Sequence, residues 1–478
     1  MAELRLARLP RAQAALLRAA AASSPRDSKA VLVGGAVRDV VLGRVPVDVD
    51  LAVPTGALEL ARRCAERVGG TCVVLDAERG AARVVAEGLT LDVADFRAPT
   101  LEGDLAARDF TANALAVPLA PLVARGRARV VDPTGGLDDL RARRLRPAGP
   151  GVLTDDPLRA LRAVRLELSL GLRLTPGGAR EVRAAVPGLA RVSAERIRDE
   201  LLALLGLADS ARALRRADAL GVLSAILPEV EPMRATRQPA PHRFPVLEHS
   251  LRAVNGCDRL LARLAALAPY GEELAAHLEE PLGGGLTRAT TLKLAALLHD
   301  VAKPETHRRI AGRVRFFEHD VIGAARTRAI GERLKLPERA VAVMERLVRH
   351  HLRPMHLASA ADITARARYR FYRDLREDTR DLLLLVLVDA AAVTGASPVT
   401  TWRRATVVRD LMRGWAEQRE VAAAPPLVRG EDVMTRFRLE PGPRVGWLLA
   451  QAREAQDLGR VRTREEALAY LDSLVPGP

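Results

Sequence analysis

The sequence predicts an α+β protein: a small α/β head followed by an all-helical neck, body and tail. Three observations predict it. Strand-like apolar runs alternate with short helical stretches over residues 29–140. From Pro157 onward, apolar residues recur at helical spacing almost to the end. All 9 histidines fall between His242 and His356, inside that helical part. A chain of 478 residues should hold several domains, since single cores rarely grow past about 250 residues. Pro and Gly punctuation divides it into an N-terminal extension (1–28), the head (29–140), a helical neck (141–231), a helical body (232–395) and a helical tail (396–478). Pro232–Pro245 reads as the linker into the body, and Pro425-Pro426 as an entry to the last helical piece.

Residues 1–28 are rich in Ala and Arg without an apolar core or cleavage site, which fits an amphipathic leading helix better than a targeting signal. Val31–Val33 reads as a strand. Gly34-Gly35 forms a turn where backbone can approach a phosphate. Val37–Leu42 is a short helix whose first amides point at that turn. The next strand, Val49–Val53, is entered through Asp48-Val49-Asp50. Side chains at i and i+2 share a face, so Asp48 and Asp50 stand side by side and repel unless a cation sits between them. Mg²⁺, a hard cation that takes oxygen ligands and bridges to phosphates, suits the place. A helix (Ala57–Val68) and strands Thr71–Leu75, Ala82–Val85 and Leu89–Val93 complete the head. In LTLDVADFR (89–97), Asp92 and Asp95 point to opposite faces, so only one can join the carboxylate pair. Asp92 in that role and an edge-strand acid in water are both open.

The neck opens with TDDPLRALRAVR (154–165). In one reading Asp155 or Asp156 caps a helix that has Pro157 in its first turn, with Arg159, Arg162 and Arg165 facing solvent. In another, Asp156 and Arg159, neighbours at i and i+3, form a donor–acceptor pair directed at a ligand.

Composition adds the partner class. The formal charge of +15 suits a polyanion such as RNA, although only four of the 74 basic residues are lysines (Lys29, Lys293, Lys303, Lys335), a bias that GC-rich coding also produces. Aromatic residues are 3% of the chain, so base stacking cannot be widely distributed. Three cysteines, Cys64, Cys72 and Cys257, without metal-type spacing fit a reducing cytoplasm. Leu382–Val388 is too short for the roughly 18 apolar residues of a membrane span, so no membrane association is expected.

The histidines mark a second site. His249 lies in PVLEHSL, His299-Asp300 close LKLAALLHDVAKP, His319 opens EHDVIGAA, and His350-His351 end ERLVRHH. Asp389 sits within LLLLVLVDAAA, where an uncompensated carboxylate is costly and a metal is one compensation.

LVGGAVRD (32–39) with Asp48 and Asp50, ARDFTANALAV (107–117), DPTGGLDDL (132–140) and SAERIRDEL (193–201) together resemble the polymerase-β-like nucleotidyltransferases. The likeness is to the bacterial class that includes tRNA CCA-adding enzymes and poly(A) polymerases. The resemblance implies Asp48 and Asp50 as catalytic Mg²⁺ ligands, Asp92 as a third carboxylate, and nucleotide contacts from Gly34, Gly35 and Arg38. It places Arg108 at the triphosphate, Asp109 and Asn113 at the ribose, and Asp156, Arg159 and Arg162 at the base. An Asp acceptor and an Arg donor would select CTP and ATP by the exocyclic amino group that cytosine and adenine share. Glu195 and Arg196 would brace the neck, and residues 132–140 would act as a hinge. Ala107 stands where the family usually has a second Arg. The order H…HD…D resembles the HD phosphohydrolases. It implies His249, His299, Asp300 and Asp389 as ligands of Ni²⁺, Co²⁺, Mn²⁺ or Mg²⁺, with His319, one of His350 and His351, and Lys303 as auxiliaries. The reaction implied is hydrolysis of 2′,3′-cyclic phosphates or 2′-nucleotides. The tail resembles tRNA-contacting helices, making the tRNA 3′ end, CTP and ATP the expected partners. Residues 98–106 are shorter than the family's flexible loop, and relatives with a shortened loop add only two cytidines. Full CCA addition, CC addition, poly(A) synthesis, and HD hydrolysis with the head as a nucleotide-binding module all remain open.

Overall fold

The computed structural model describes residues 2–25, 27–359, 363–422 and 425–475. The chain divides into two compact units, Met1–Glu200 with Arg216–Ile226, and Leu201–Arg215 with Leu227–Pro478.

The first unit is built on a six-stranded sheet. Its strands are β2 (Val31–Val33), β3 (Val49–Val53), β4 (Thr71–Asp76), β5 (Ala81–Ala86), β6 (Leu89–Asp95) and β7 (Ala116–Pro118), in the order β4-β5-β6-β3-β2-β7. Only β3 and β6 run parallel. The central strands are buried on both faces, which is why Val31–Val33 and Leu51–Val53 read as unbroken apolar runs. The register sets Asp50 opposite Asp92, and Asp92 opposite Arg83, so all three share a face.

The N-terminal residues are not an appendage. β1 (Glu3–Arg5) pairs with β8 (Arg127–Arg129), α2 (Gly35–Val41) follows β2, and α1 (Arg11–Ser23) packs on α3 (Ala57–Val68). Gln13 of α1 donates to the carbonyls of Pro46 and Val47 at 2.9 and 3.0 Å, and so steadies the approach to Asp48. Residues 98–106 are likewise not a loop. Leu101–Ala106 forms α4, capped by Thr100, and its Leu105 is buried in the cluster of Val31, Val33 and Ala52.

The second unit is helical, with Val246–Leu261, Arg288–Leu298, His319–Arg333, Glu338–His350 and Thr379–Thr394 as its main helices. Leu382–Val388 is buried throughout, as expected for a helix that is apolar on all sides. No single described helix is long and apolar enough to cross a membrane. Besides the short pair Pro281–Gly283 with Leu286–Thr287, a hairpin, His307–Ile310 with Arg313–Phe316, interrupts the helices expected here. Its turn residues Ala311 and Gly312 have φ of +49° and +75°, which suits a tight hairpin, while its run of arginines hides the strand alternation in the sequence. The tail has a core of its own around Val433, Leu448, Ala455 and Leu471.

Candidate active site and metal centre

A cavity of about 450 Å³ opens over the head sheet, lined by Gly34, Asp50, Asp92, Arg108, Asn113, Asp156 and Arg159, among others. Gly34 has φ +72°, and a Cβ there would lie 3.1 Å from Asp50 Oδ2, so glycine is required twice over. Asp50 is half-buried. Burial first, and the neighbouring Asp92 carboxylate second, push it up to about 6. Asp92 is held by Arg83, which donates to both its oxygens at 2.7 and 2.8 Å. Asp48 sits exposed just ahead of β3, where its Oδ1 accepts from Thr90 Oγ1 at 3.2 Å. Two carboxylates crowded on one face in this way offer the oxygen ligands that a hard divalent cation takes.

A chain of polar contacts runs from this point into the neck. Arg38 donates to Asn113 Oδ1 at 2.6 Å, and Asn113 donates to Asp109 Oδ1 at 3.0 Å. Arg162 lies 3.5 Å from Asp109 Oδ2, and with Arg165 it grips Glu200 at 2.8 Å. Although burial opposes it, Arg162 and Asn113 hold Asp109 below the usual carboxylate range, so it stays an acceptor. Arg108 is held by the buried Asp104 at 3.1 Å, and Arg97 reaches the same carboxylate at 3.2 Å.

The capping reading of the neck fails. Asp155 ends a short helix, Val152–Asp155, and Asp156 follows in extended backbone. The helix Leu158–Leu170 starts after Pro157 without a side-chain cap. Arg159 donates to the carbonyls of Ala107 and Val152 and stands 3.7 Å from Asp156. Arg196 donates to Asp156 Oδ2 at 2.9 Å, which leaves Oδ1 buried without a partner. Arg196, expected only to brace the neck, therefore lines the cavity.

In the second unit, two groups of ligand atoms converge: His249, His299 and Asp389, and Asp300, His319 and His351. Within each group the atoms lie within 4.8 Å of one another. His299, His319 and His351 each place Nδ1 against a backbone carbonyl, of Ala296, Phe316 and Val348, at 2.9, 2.7 and 2.7 Å. That fixes the tautomer and turns Nε2 inward. His249 Nε2 lies 2.8 Å from Asp389 Oδ1 and His299 Nε2 lies 3.4 Å from Asp300 Oδ2. Yet the Nε2 atoms of His249, His299 and His319 and the Oδ1 atoms of Asp300 and Asp389 are buried without hydrogen-bond partners. Orphaned imidazole and carboxylate atoms facing one another are the signature of a metal site. Burial pushes His351 down to about 4, whereas Asp300 and Asp389 lift His299 to about 10 against the effect of burial. A cation between those carboxylates would expel that proton.

Residues 30–146 match the family described as Poly A polymerase head domain, residues 246–392 the HD domain, and residues 171–234 the probable RNA and SrmB-binding site of polymerase A. The A-adding tRNA nucleotidyltransferase of Deinococcus radiodurans is 38% identical over 94% of this chain and 96% of its own. The chain belongs to the tRNA nucleotidyltransferase family. The CC-adding tRNA nucleotidyltransferase of Thermus thermophilus is 35% identical over 94% of both chains. A solved CCA-adding enzyme in an apo form shares the fold, with a TM-score of 0.66 and 20% identity over 99% of this chain and 98% of that one.

Within this nucleotidyltransferase the expected residues separate clearly. Gly34, Gly35, Asp50, Asp92, Arg108, Asp109, Asn113, Asp156, Arg159 and Arg162 line one cavity, and Asp48 stands exposed outside it. His350 is a correction. It is the last residue of the helix Glu338–His350 and faces Arg353 and Asp374, whereas His351 turns inward to within 3.8 Å of Asp300. Consecutive helical residues point about 100° apart, so one of the two must miss the cluster. Lys303 bridges Asp300 Oδ2 at 2.6 Å and Gln238 Oε1 at 2.7 Å. The His242 ring stacks edge-on to His249 at 5.0 Å. Gln238 and His242 lie in the segment read as a linker, and no local pattern marked them. His277 is a structural histidine, buried against Asp381 at 2.7 Å beside Arg288.

Proposed function

We propose that the head performs one half of CCA addition, transferring a single kind of nucleotide to the 3′ end of tRNA in the cytoplasm. The packed helix α4 carries this reading. Asp104 pins Arg97 and Arg108 where the family's flexible loop would move, which favours a single arrangement of the nucleotide cavity and with it a single specificity. Asp48 and Asp50, with Asp92, would hold Mg²⁺, which when bound neutralises phosphate charge and favours attack by the RNA 3′ hydroxyl. Arg108 and Arg38 would meet the triphosphate, and Asp109 with Asn113 the ribose. Asp156, braced by Arg196, offers its free Oδ1 to an exocyclic amino group, and Arg159 supplies the matching donor.

Cytidine is the half favoured by the shortened segment 98–106. The 38% identity to an A-adding relative favours the terminal adenosine instead. The test supplies tRNA lacking CCA and tRNA ending in CC with CTP, ATP or both, and sizes the products. One nucleotide used on one acceptor is expected. Completion of CCA by this protein alone overturns the reading.

The second site supports a metal-dependent phosphohydrolase acting on 2′,3′-cyclic phosphates or 2′-nucleotides. His249, His299, Asp300 and Asp389 would hold the metal, with His319 and His351 completing the set. Imidazole ligands favour Ni²⁺, Co²⁺ or Mn²⁺ over Mg²⁺. The bound metal would activate water, and Lys303 would steady Asp300 and the substrate phosphate. Ring opening of a 2′,3′-cyclic nucleotide, or phosphate release from a 2′-nucleotide, by wild type but not by His299→Ala, with each metal in turn, checks it.

A further inference from the structure

The hairpin His307–Phe316 grows out of the histidine cluster. It begins just after Lys303 and ends just before His319, and both of those residues reach Asp300. Its base is fixed there: His319 Nδ1 lies 2.7 Å from the Phe316 carbonyl, and the Phe316 ring lies 5.6 Å from Lys303 Nζ.

Four arginines are exposed on its two strands: Arg308, Arg313 and Arg315 share one face with Ile310, and Arg309 lies on the other face with His307, Val314 and Phe316. Arg308 stands directly opposite Arg315, a like-charge cross-strand pair that costs stability unless an anion joins it. Arg308 donates only to backbone carbonyls, those of Glu305 and His307. Arg309, Arg313 and Arg315 make no ion pair among the described residues. The next helix differs: its Arg326 and Arg328 are each tied to glutamates, Glu305 and Glu345. The hairpin's positive charge is therefore left uncompensated beside the metal-ligand cluster. Exposed Ile310 and Phe317 flank the arginines, and an open aromatic next to basic groups is the usual platform for single-stranded RNA. Each strand of four residues spans about 13 Å, enough to meet successive phosphates and more than one phosphomonoester needs.

We propose that this hairpin holds an RNA strand at the histidine cluster, so that the site acts on a phosphate at an RNA 3′ end in preference to a free nucleotide. The proposal rests on the phosphohydrolase reading of that site. In the reaction, the oxygen of water bonds to phosphorus, one P–O bond of the 2′,3′-cyclic phosphate breaks, and the released ribose oxygen takes the proton. The product is a phosphomonoester.

The test compares an RNA oligonucleotide ending in a 2′,3′-cyclic phosphate with 2′,3′-cyclic AMP, using the full chain loaded with Mn²⁺, Ni²⁺ or Co²⁺. Wild type is expected to prefer the oligonucleotide. In an R308Q/R313Q/R315Q variant, which clears the face that carries three of the arginines, its KM should rise about tenfold or more with kcat nearly unchanged, as removal of several phosphate contacts requires. The dependence of log KM on log salt should flatten by about 2, close to 0.7 per lost contact on a single strand. Kinetics on cyclic AMP should not change, which also shows that the variant is folded. Equal efficiency on the two substrates in wild type, or an unchanged oligonucleotide KM in the variant, overturns the hairpin's role and leaves the hydrolase reading standing. Hydrolysis of neither substrate by wild type overturns both.

Discussion

Asp50 trades stability for function. Its carboxyl is raised from 3.8 to about 6 by burial and by Asp92, so the folded state holds this proton more tightly than the unfolded chain. The sign follows. The contribution of Asp50 to stability is fullest below about pH 4 and is lost as pH rises through 6, by about 3 kcal/mol at most. Asp50→Asn should therefore raise Tm at pH 7–8, match wild type near pH 4, and abolish nucleotide transfer. Thermal melts across that range, paired with a transfer assay, check all three. Gly34→Ala tests the same point from the backbone side. The strained φ of +72° costs about 1–3 kcal/mol, and the new Cβ presses on Asp50 Oδ2, so transfer should fall far more than Tm does. Asp48, expected beside Asp50, stands exposed outside the cavity, whereas the glycine pair and Asp50 were legible because strand alternation and turn chemistry are local. Arg83 and Arg196 were not. Their partners, Asp92 and Asp156, lie 9 and 40 residues away, and only the sheet register and the neck helix bring them together.

At the scale of elements, α4 and the end of the helix Glu338–His350 carry the most consequence. Asp104→Asn removes the charge that Arg97 and Arg108 share and should cost about 1–3 kcal/mol. Nucleotide selection should loosen with it, so misincorporation measured with all four nucleoside triphosphates should rise. Unchanged selectivity would mean that α4 is packing alone. At the other site, His351→Ala should weaken transition-metal binding by about tenfold or more, while His350→Ala leaves it unchanged, by calorimetric titration. The sequence narrowed that choice to two adjacent histidines. Which of them faces inward depends on how the helix end is rotated against Asp300, which tertiary packing sets.

Over the whole molecule, the two groups of candidate ligands belong to different compact units: Asp48, Asp50 and Asp92 to the first, and the histidine cluster to the second. A His299→Ala, Asp300→Ala variant should keep Mg²⁺-supported nucleotide transfer within about twofold and lose transition-metal binding at the cluster. Metal content and transfer measured on one preparation decide it. The sequence by itself determined the α+β class, five of the six strands of the head sheet to within a residue or two, and most of the residues that gather at the head cavity and in the histidine cluster. Those features rest on short-range periodicity, on turn glycines, and on the cost of an unpaired carboxylate in an apolar helix. Tertiary structure alone decided the rest. It wove the N-terminal residues into the head, made residues 98–106 a buried helix, gave Asp156 a bracing arginine in place of a capping role, and raised an arginine hairpin beside the histidines. The first three depend on contacts between segments far apart in sequence, where packing and charge pairing outweigh local preferences, while the hairpin is local but its strand alternation is hidden by a run of arginines.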